Sequence, residues 1–359
     1  MSAHILVVEP ETALQAALSS WLEWEGYDCA CASDPEEALA IAEHDRADVA
    51  LVSDHAAAWD ACGLAGELKS LREDLAIIVL CGAGRRRCRV ERSRDVIEEI
   101  PAPITRGAVT QAVTRAVRWR EAPAKDRQAV LAYQEAMALR AADIREACRQ
   151  VTDGDLVVGL KSPVGALMDR RNPGAVAHAM RVTEMARLLG SVLNLTPRAL
   201  TALERAAFLH DLGKAALPDD LLQKPTPLTD LEIGLLRRHP LIAHDILSEI
   251  PLFEEAAPIV LSTQERFDGR GYPRGLAALE IPMSARVISL VDAFDLLTTG
   301  HPLGLRMSLA EACAELVRGA GVQFDPDLVR LWLRLADTSH PSDPIPGASH
   351  RTPGAFSVI

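Results

Sequence analysis

Apolar residues recur along this chain in two rhythms, and the change between them divides it. Near the start, Ile5-Leu6-Val7-Val8, Val49-Ala50-Leu51-Val52 and Ala76-Ile77-Ile78-Val79-Leu80 are short unbroken apolar runs, the pattern of strands buried on both faces. Asp28-Cys29-Ala30-Cys31-Ala32 is a fourth candidate strand. Between the runs the spacing becomes helical: Leu14, Ala17, Leu18, Trp21 and Leu22 share one face, and Pro35–Glu43 follows as a second helix. Strands alternating with helices over residues 1–118 predict a parallel α/β domain. From Lys125 to Gln150 the chain lacks Gly and Pro and is rich in Ala, Arg, Glu and Gln, which favours one long helix. Residues 119–158 therefore read as a helical connector, with Val151-Thr152-Asp153-Gly154 as its stop.

Beyond it only helical spacing recurs, in Val176–Leu189, Arg198–Leu209, Asp230–Ile250, Phe253–Gln264, Ala285–Leu297, Leu309–Ala320 and Pro326–Ala336. Residues 159–337 thus predict an all-α helical bundle, punctuated by Pro218, Pro225, Pro227, Pro302 and Gly304. Residues 338–359, dominated by Ser, Pro, Gly, His and Thr, predict a disordered tail.

Composition narrows the function. At 359 residues with 48% hydrophobic positions, the chain can build more than one cored domain. A net charge of −12 argues against nucleic acid as the main partner. No apolar run approaches the roughly 20 residues that span a bilayer, and Met1-Ser2-Ala3-His4-Ile5 is not a signal peptide. A soluble, cytoplasmic protein without membrane contact is expected. The seven cysteines (Cys29, Cys31, Cys62, Cys81, Cys88, Cys148, Cys313) are scattered and form no CxxC pair, as expected of reduced thiols.

Candidate chemistry concentrates between His178 and Asp292. His178, the adjacent His210-Asp211, His239 and Asp292 are spread along helical sequence. Mixed imidazole and carboxylate donors suit Fe, Mn or a similar divalent transition metal better than Ca²⁺. A lone buried His–Asp pair can also be purely structural. The loop Asp268-Gly269-Arg270-Gly271-Tyr272-Pro273 fixes a tight turn whatever its chemistry, and the Arg85-Arg86-Arg87 run reads as a solvated loop.

Residues 1–118 resemble a response-regulator receiver domain in the order and spacing of their elements. The resemblance implies a five-stranded flavodoxin-like fold with a phosphorylation pocket at the strand C-termini. That pocket needs clustered carboxylates around Mg²⁺. The family's acidic pair aligns with Glu9-Pro10, its phospho-accepting aspartate with Ser53, its Ser/Thr with Cys81 and its Lys-Pro with Ala102-Pro103. Asp54 is the neighbouring carboxylate, but adjacent strand residues point to opposite faces. A pseudo-receiver without a phosphoacceptor, used for docking or dimerisation, is expected.

The second domain resembles the HD-GYP family of the HD phosphohydrolases. The likeness is carried by Leu209-His210-Asp211-Leu212-Gly213-Lys214, Lys224-Pro225, His239-Pro240, the segment from Glu265 to Pro273, Asp292-Ala293-Phe294-Asp295-Leu296-Leu297-Thr298 and Val322-Gln323-Phe324-Asp325-Pro326. It implies a bundle holding two or three metal ions that hydrolyses cyclic di-GMP. Carried over by position, His178, His210, Asp211 and Asp292 are the ligands of one metal. Asp211 would bridge to a second, shared with His239 and two consecutive histidines that here are Thr263 and Gln264. The glutamate supporting a third metal aligns with Gly174; Glu265 and His244 are the other nearby donors.

Lys214 takes the family's phosphate-contacting position, so Asp211 and Lys214 are the candidate catalytic pair. Gly271, Tyr272 and Pro273 form the loop expected near substrate. His301-Pro302-Leu303-Gly304 replaces the family's Arg-Pro-Tyr-Arg, so His301 stands where a guanidinium would grip phosphate bidentately.

One metal per chain, Fe or Mn, and weak or lost cyclic di-GMP hydrolysis are expected. Two readings stay open. One is a one-metal phosphohydrolase acting on a cyclic dinucleotide or another phosphate ester. The other is an inactive signalling module that binds a nucleotide or a partner such as a GGDEF domain, with residues 119–158 available as a homodimer helix.

Overall fold

The computed structural model describes residues 3–44, 46–54, 59–82, 96–151, 163–222, 224, 226–300 and 306–339, with side chains up to 336. The Arg85–Arg87 run, His301 and the tail from 340 lie outside them. The chain divides into two compact units.

The first unit comprises Met1–Asp143, Ala216–Arg238 and Tyr272–Gly275. Its five strands, β1 (His4–Val8), β2 (Asp28–Ala32), β3 (Val49–Ser53), β4 (Ala76–Cys81) and β5 (Glu98–Pro101), form one sheet in the order β2-β1-β3-β4-β5. All four pairings are parallel, with Val8 opposite Ala32 and Val52, and Val52 opposite Val79. This is the flavodoxin-like order, and the α/β prediction holds. Leu6, Val8, Ala50, Val52, Ile77 and Val79 point to one face. They meet Ala38 and Ala42 of α2 (Pro35–His44) and Leu64, Ala65 and Leu68 of α3 (Ala61–Leu71). Their neighbours Ile5, Val7, Leu51 and Ile78 alternate to the other face and are equally buried. Burial of both faces explains why these strands are uniformly apolar. Helices α1 (Thr12–Trp24) and α4 (Arg106–Glu121) also pack on the sheet.

Helix α5 spans Ala124–Arg149, against the predicted Lys125–Gln150. Val130, Met137, Ala141, Ile144 and Cys148 form its buried stripe. Among the cysteines, Cys29, Cys31, Cys81, Cys148 and Cys313 are free thiols, as expected. Cys62 corrects that expectation, because it is disulfide-bonded.

The second unit comprises Ile144–Ala215, His239–Gly271 and Leu276–Ile359, and its described residues are helical, with only isolated bridges. Its helices are α6 (Pro163–Arg171), α7 (Ala175–Val192), α8 (Pro197–Leu209), α11 (His239–Leu247), α12 (Ala257–Leu261), α13 (Met283–Thr299), α14 (Leu309–Gly319) and α15 (Pro326–Ser339). Two short helices between α8 and α11, α9 (Asp219–Leu222) and α10 (Asp230–Leu236), belong to the first unit. Helix α7 packs against α8 and α13 along a core that includes Val176, Val182, Leu203, Ala206, Val287 and Val291. The buried pair Arg286–Asp325 ties α13 to the start of α15, and the Arg286 Nε also donates to the Ile281 carbonyl at 2.9 Å.

Two predicted helices are subdivided. Asp230–Ile250 breaks after Leu236 and restarts at His239, because Pro240 lacks the amide proton that would carry the ladder across and is tolerated only in the first turn of a new helix. Phe253–Gln264 reduces to a 3₁₀ turn at Pro251–Phe253 and α12, where Pro258 occupies the first turn.

Candidate metal centre

Three elements of the second unit bring the donors together. His178 lies in the first turns of α7, His210 caps the C-terminus of α8, and Asp292 faces inward from the middle of α13. One donor atom of each lies within 4.8 Å of the others. The His178 Nε2 is 3.1 Å from Asp292 Oδ1, and the His210 Nε2 is 3.6 Å from the same oxygen.

The far side of each imidazole is anchored. His210 Nδ1 lies 2.8 Å from the Ala207 carbonyl, an acceptor that requires the proton on Nδ1 and leaves Nε2 facing the cluster. His178 Nδ1 is 2.7 Å from Asp295 Oδ2. Asp295 is almost fully buried and is gripped in turn by Arg181, whose Nε and Nη2 donate to it at 2.6 and 2.8 Å. Asp295 is not among the predicted donors, although the sequence carries its signal: three residues after Asp292 on a helix, it shares that face.

Asp211 stands beside this triad. Its Oδ2 accepts from Lys214 Nζ at 2.9 Å and lies 3.6 Å from His210 Nε2, while its Oδ1 is 3.8 Å from His239 Nε2. His239 is fully buried at the start of α11. Gly213 makes the approach possible, since a Cβ there would lie 1.9 Å from the His239 carbonyl oxygen. Asp211, Lys214 and His239 thus gather on one side of the three-donor cluster.

The remaining predicted donors are engaged elsewhere. Thr263 is buried and its hydroxyl donates to the Val260 carbonyl at 3.0 Å. Glu265 is buried and accepts from the Leu276 amide at 3.1 Å, and His244 Nδ1 lies 3.5 Å from Asp245. Gly174 caps α7 with φ +89°, a left-handed conformation in which a side chain is strained.

The glycine-rich loop is built by backbone proximity. A Cβ on Gly271 would lie 2.2 Å from the Arg266 amide nitrogen and 2.4 Å from Glu265 Cα. Asp268 accepts from Arg266 at 2.9 and 3.1 Å and from the Arg270 amide at 3.0 Å. In the first unit, Tyr272 is buried beneath Arg237, whose guanidinium lies 5.3 Å from its ring centroid. The Tyr272–Pro273 peptide is cis.

Electrostatics follow from this geometry. Burial pulls the His178 pKa down, but hydrogen bonds to Asp292 and Asp295 outweigh it and hold it up at about 10. Burial opposes ionisation of Asp292, yet His178 and His210 keep its carboxyl well below the usual range. Asp211 is likewise lowered against its burial, first by Lys214 and then by His210 and His239. Without metal the cluster is a set of ionised partners, and a metal must displace imidazole protons to bind.

The donor chemistry fits a transition metal. Two imidazole nitrogens and a carboxylate oxygen converge below the surface. His210 Nε2 and Asp211 Oδ1 are buried with no hydrogen-bond partner, a costly arrangement for a site that holds nothing.

Residues 164–328 match the HD domain family. They form an HD domain. Over 306 residues the chain is 29% identical to a cyclic di-GMP phosphodiesterase response regulator of Xanthomonas campestris pv. campestris, covering 84% of this chain and 79% of that protein. Over 337 residues it is 26% identical to a cyclic di-GMP phosphodiesterase of Thermotoga maritima, covering 92% and 90%. Among solved structures, a CheY-like receiver domain from Methanospirillum hungatei JF-1 is 21% identical with a TM-score of 0.31, covering 34% of this chain and 98% of that one.

In the chain the HD domain follows the five-stranded parallel α/β sheet. Ser53 and Glu9 are both buried, and the Ser53 hydroxyl donates to the Glu9 carboxylate. The other Glu9 oxygen accepts from the Glu11 amide at 2.8 Å. Among the described residues no helix is long and apolar enough to cross a membrane.

Proposed function

We propose that the HD domain is a one-metal phosphohydrolase site for cyclic dinucleotides with low turnover of cyclic di-GMP. The observation that carries this reading is the convergence of His178, His210 and Asp292 donors within 4.8 Å. These residues, with Asp211 alongside, would hold one Fe or Mn. When bound, such an ion supplies a Lewis acid and a water of lowered pKa.

The chain's own groups supply the rest. Asp295 and the Ala207 carbonyl fix the two imidazoles, so little reorganisation is needed on binding. Lys214, held against Asp211, is the cation available to a phosphate oxygen at this site. The second metal of the resemblance is disfavoured by chemistry: Thr263 spends its hydroxyl on Val260, and neutral oxygens are poor substitutes for imidazole. With that charge missing, turnover should be low. The two cyclic di-GMP phosphodiesterases that share most of this chain's length support the substrate class.

Metal analysis of the purified chain tests the reading. About one equivalent of Fe or Mn per chain, lost in Asp292→Ala, is expected; metal-free wild type that still folds would overturn it.

A second reading, an inactive module that binds a nucleotide or a GGDEF-domain partner, is favoured by the Ser53–Glu9 bond in the receiver-like pocket. Exposure of Leu131 and Leu139 on α5, at 41% and 70%, supports a homodimer through that helix. Full-length protein that holds its metal yet turns over no cyclic di-GMP would favour this module.

A further inference from the structure

In the first unit three helices end around one cavity. Glu43, His44 and Arg46 come from the end of α2 and the residues after it, Arg72 and Asp74 from just past the end of α3, and Arg120 from the last turn of α4. The cavity is about 520 Å³, within the range of small-molecule sites. It lies at the N-terminal ends of the strands, since Asp74 stands two residues before β4. Ser53 is at the other end, closing β3.

Two of the cations are held in place without being fully neutralised. Asp74 accepts from Arg72 Nε and Nη2 at 3.2 and 3.3 Å and from Arg120 Nη2 at 3.4 Å, so one carboxylate is shared by two guanidiniums. Arg120 also pairs with Asp48. Arg46 is exposed, and no carboxylate among the described residues pairs with it. His44 spends Nδ1 on the Ala40 carbonyl at 2.9 Å, which leaves Nε2 uncommitted to its helix. Helix C-termini attract cations, and that draws arginines here. It does not account for three guanidiniums from three segments lining one open volume with two carboxylates, in a chain of net charge −12.

A carboxylate ligand would occupy a single guanidinium fork. A phosphate group offers three acceptor oxygens and can engage guanidiniums from separate segments at once. Phosphate alone would leave much of the volume unfilled, and Glu43 supplies an acceptor for a hydroxyl group.

We propose that this cavity binds a small phosphate monoester that carries hydroxyl groups, with Arg46, Arg72 and Arg120 on the phosphate and Glu43 on a hydroxyl. Such a ligand gives the α/β unit an input that needs no phosphoryl transfer. The site is independent of the metal centre, whose donors belong to the second unit.

Titration calorimetry on the full chain with ribose 5-phosphate tests it, with ribose and inorganic phosphate as the two halves of the probe. Ribose 5-phosphate should bind, inorganic phosphate should bind more weakly, and ribose should not bind. Arg46→Gln should weaken both phosphate probes by between about tenfold and a hundredfold, the range for losing a charge-assisted hydrogen bond. Arg46 is exposed, so this variant should keep the fold; Arg72→Gln should act in the same direction. Asp292→Ala, which removes a donor of the metal centre, should leave the affinity at the wild-type value. A wild-type chain that binds neither phosphate probe overturns the inference, as does wild-type affinity in a folded Arg46→Gln protein. Affinity lost in Asp292→Ala and kept in Arg46→Gln overturns it too, because the phosphate then sits at the metal centre.

Discussion

Asp295 clamps His178: the carboxylate takes the imidazole Nδ1 at 2.7 Å and leaves Nε2 facing Asp292 at 3.1 Å. The clamp is braced by two hydrogen bonds from Arg181. One helical turn of α13 therefore supplies both a candidate ligand and the group that orients another.

Replacing Asp295 with Asn removes the charge and keeps the shape. Metal affinity should drop about 10–100-fold, as is usual when a carboxylate partner of a ligating histidine is lost. Titration with Mn²⁺ alongside circular dichroism checks this. Unchanged affinity in a folded variant would reduce Asp295 to a packing contact between α7 and α13.

The charges of the metal-free cluster set a pH dependence. In the fold the His178 pKa is raised from 6.5 to about 10. Its contribution to stability is fully present below about pH 6.5 and is lost as pH rises toward 10. Asp211 and Asp292 are lowered, so their contribution is present above the usual carboxylate range and is lost on acidification. Thermal melts in chelator should show the melting temperature falling from pH 7 to 10. Added Mn²⁺ should raise it more at pH 8.5 than at pH 6.5, because proton and metal compete for the same nitrogen. A flat alkaline limb would contradict the assignment.

Much of this was readable from the chain, for physical reasons. The apolar runs marked β1, β3 and β4 to within one residue because two-sided burial leaves no polar position to blur them. Strand β5, only Glu98–Pro101 and opening on two glutamates, gave no such signal. The donors His178, His210 and Asp292 were legible through the HD-GYP resemblance, carried by motifs such as His210-Asp211. Arg237 over Tyr272 was not, since it depends on a tertiary approach between residues 35 positions apart.

The receiver-like pocket yields a negative prediction and a positive one. Incubation with a small phosphodonor should leave the chain unlabelled, because Ser53 aligns with the receiver family's phospho-accepting aspartate and its hydroxyl is spent on Glu9. A labelled Asp54 would overturn this. Ser53→Ala should remove the buried hydroxyl's bond to the Glu9 carboxylate and destabilise the chain by about 1 kcal/mol, measured by chemical denaturation.

The second metal position can be rebuilt in the same chain. Thr263→His together with Gln264→His would place two imidazoles in the turn after α12, within the unit that holds His239 and Asp211. Thr263 is only 3% exposed, so the larger ring should cost about 1–3 kcal/mol in stability. Metal content should nevertheless rise from one toward two equivalents, and cyclic di-GMP turnover by about tenfold or more, equivalent to roughly 1.4 kcal/mol off the barrier. A folded double variant that still holds one metal would show that Thr263 and Gln264 are not what limits the site. The charge of Lys214 on Asp211 Oδ2 would then be the next restraint to remove, since that oxygen accepts from the ammonium at 2.9 Å.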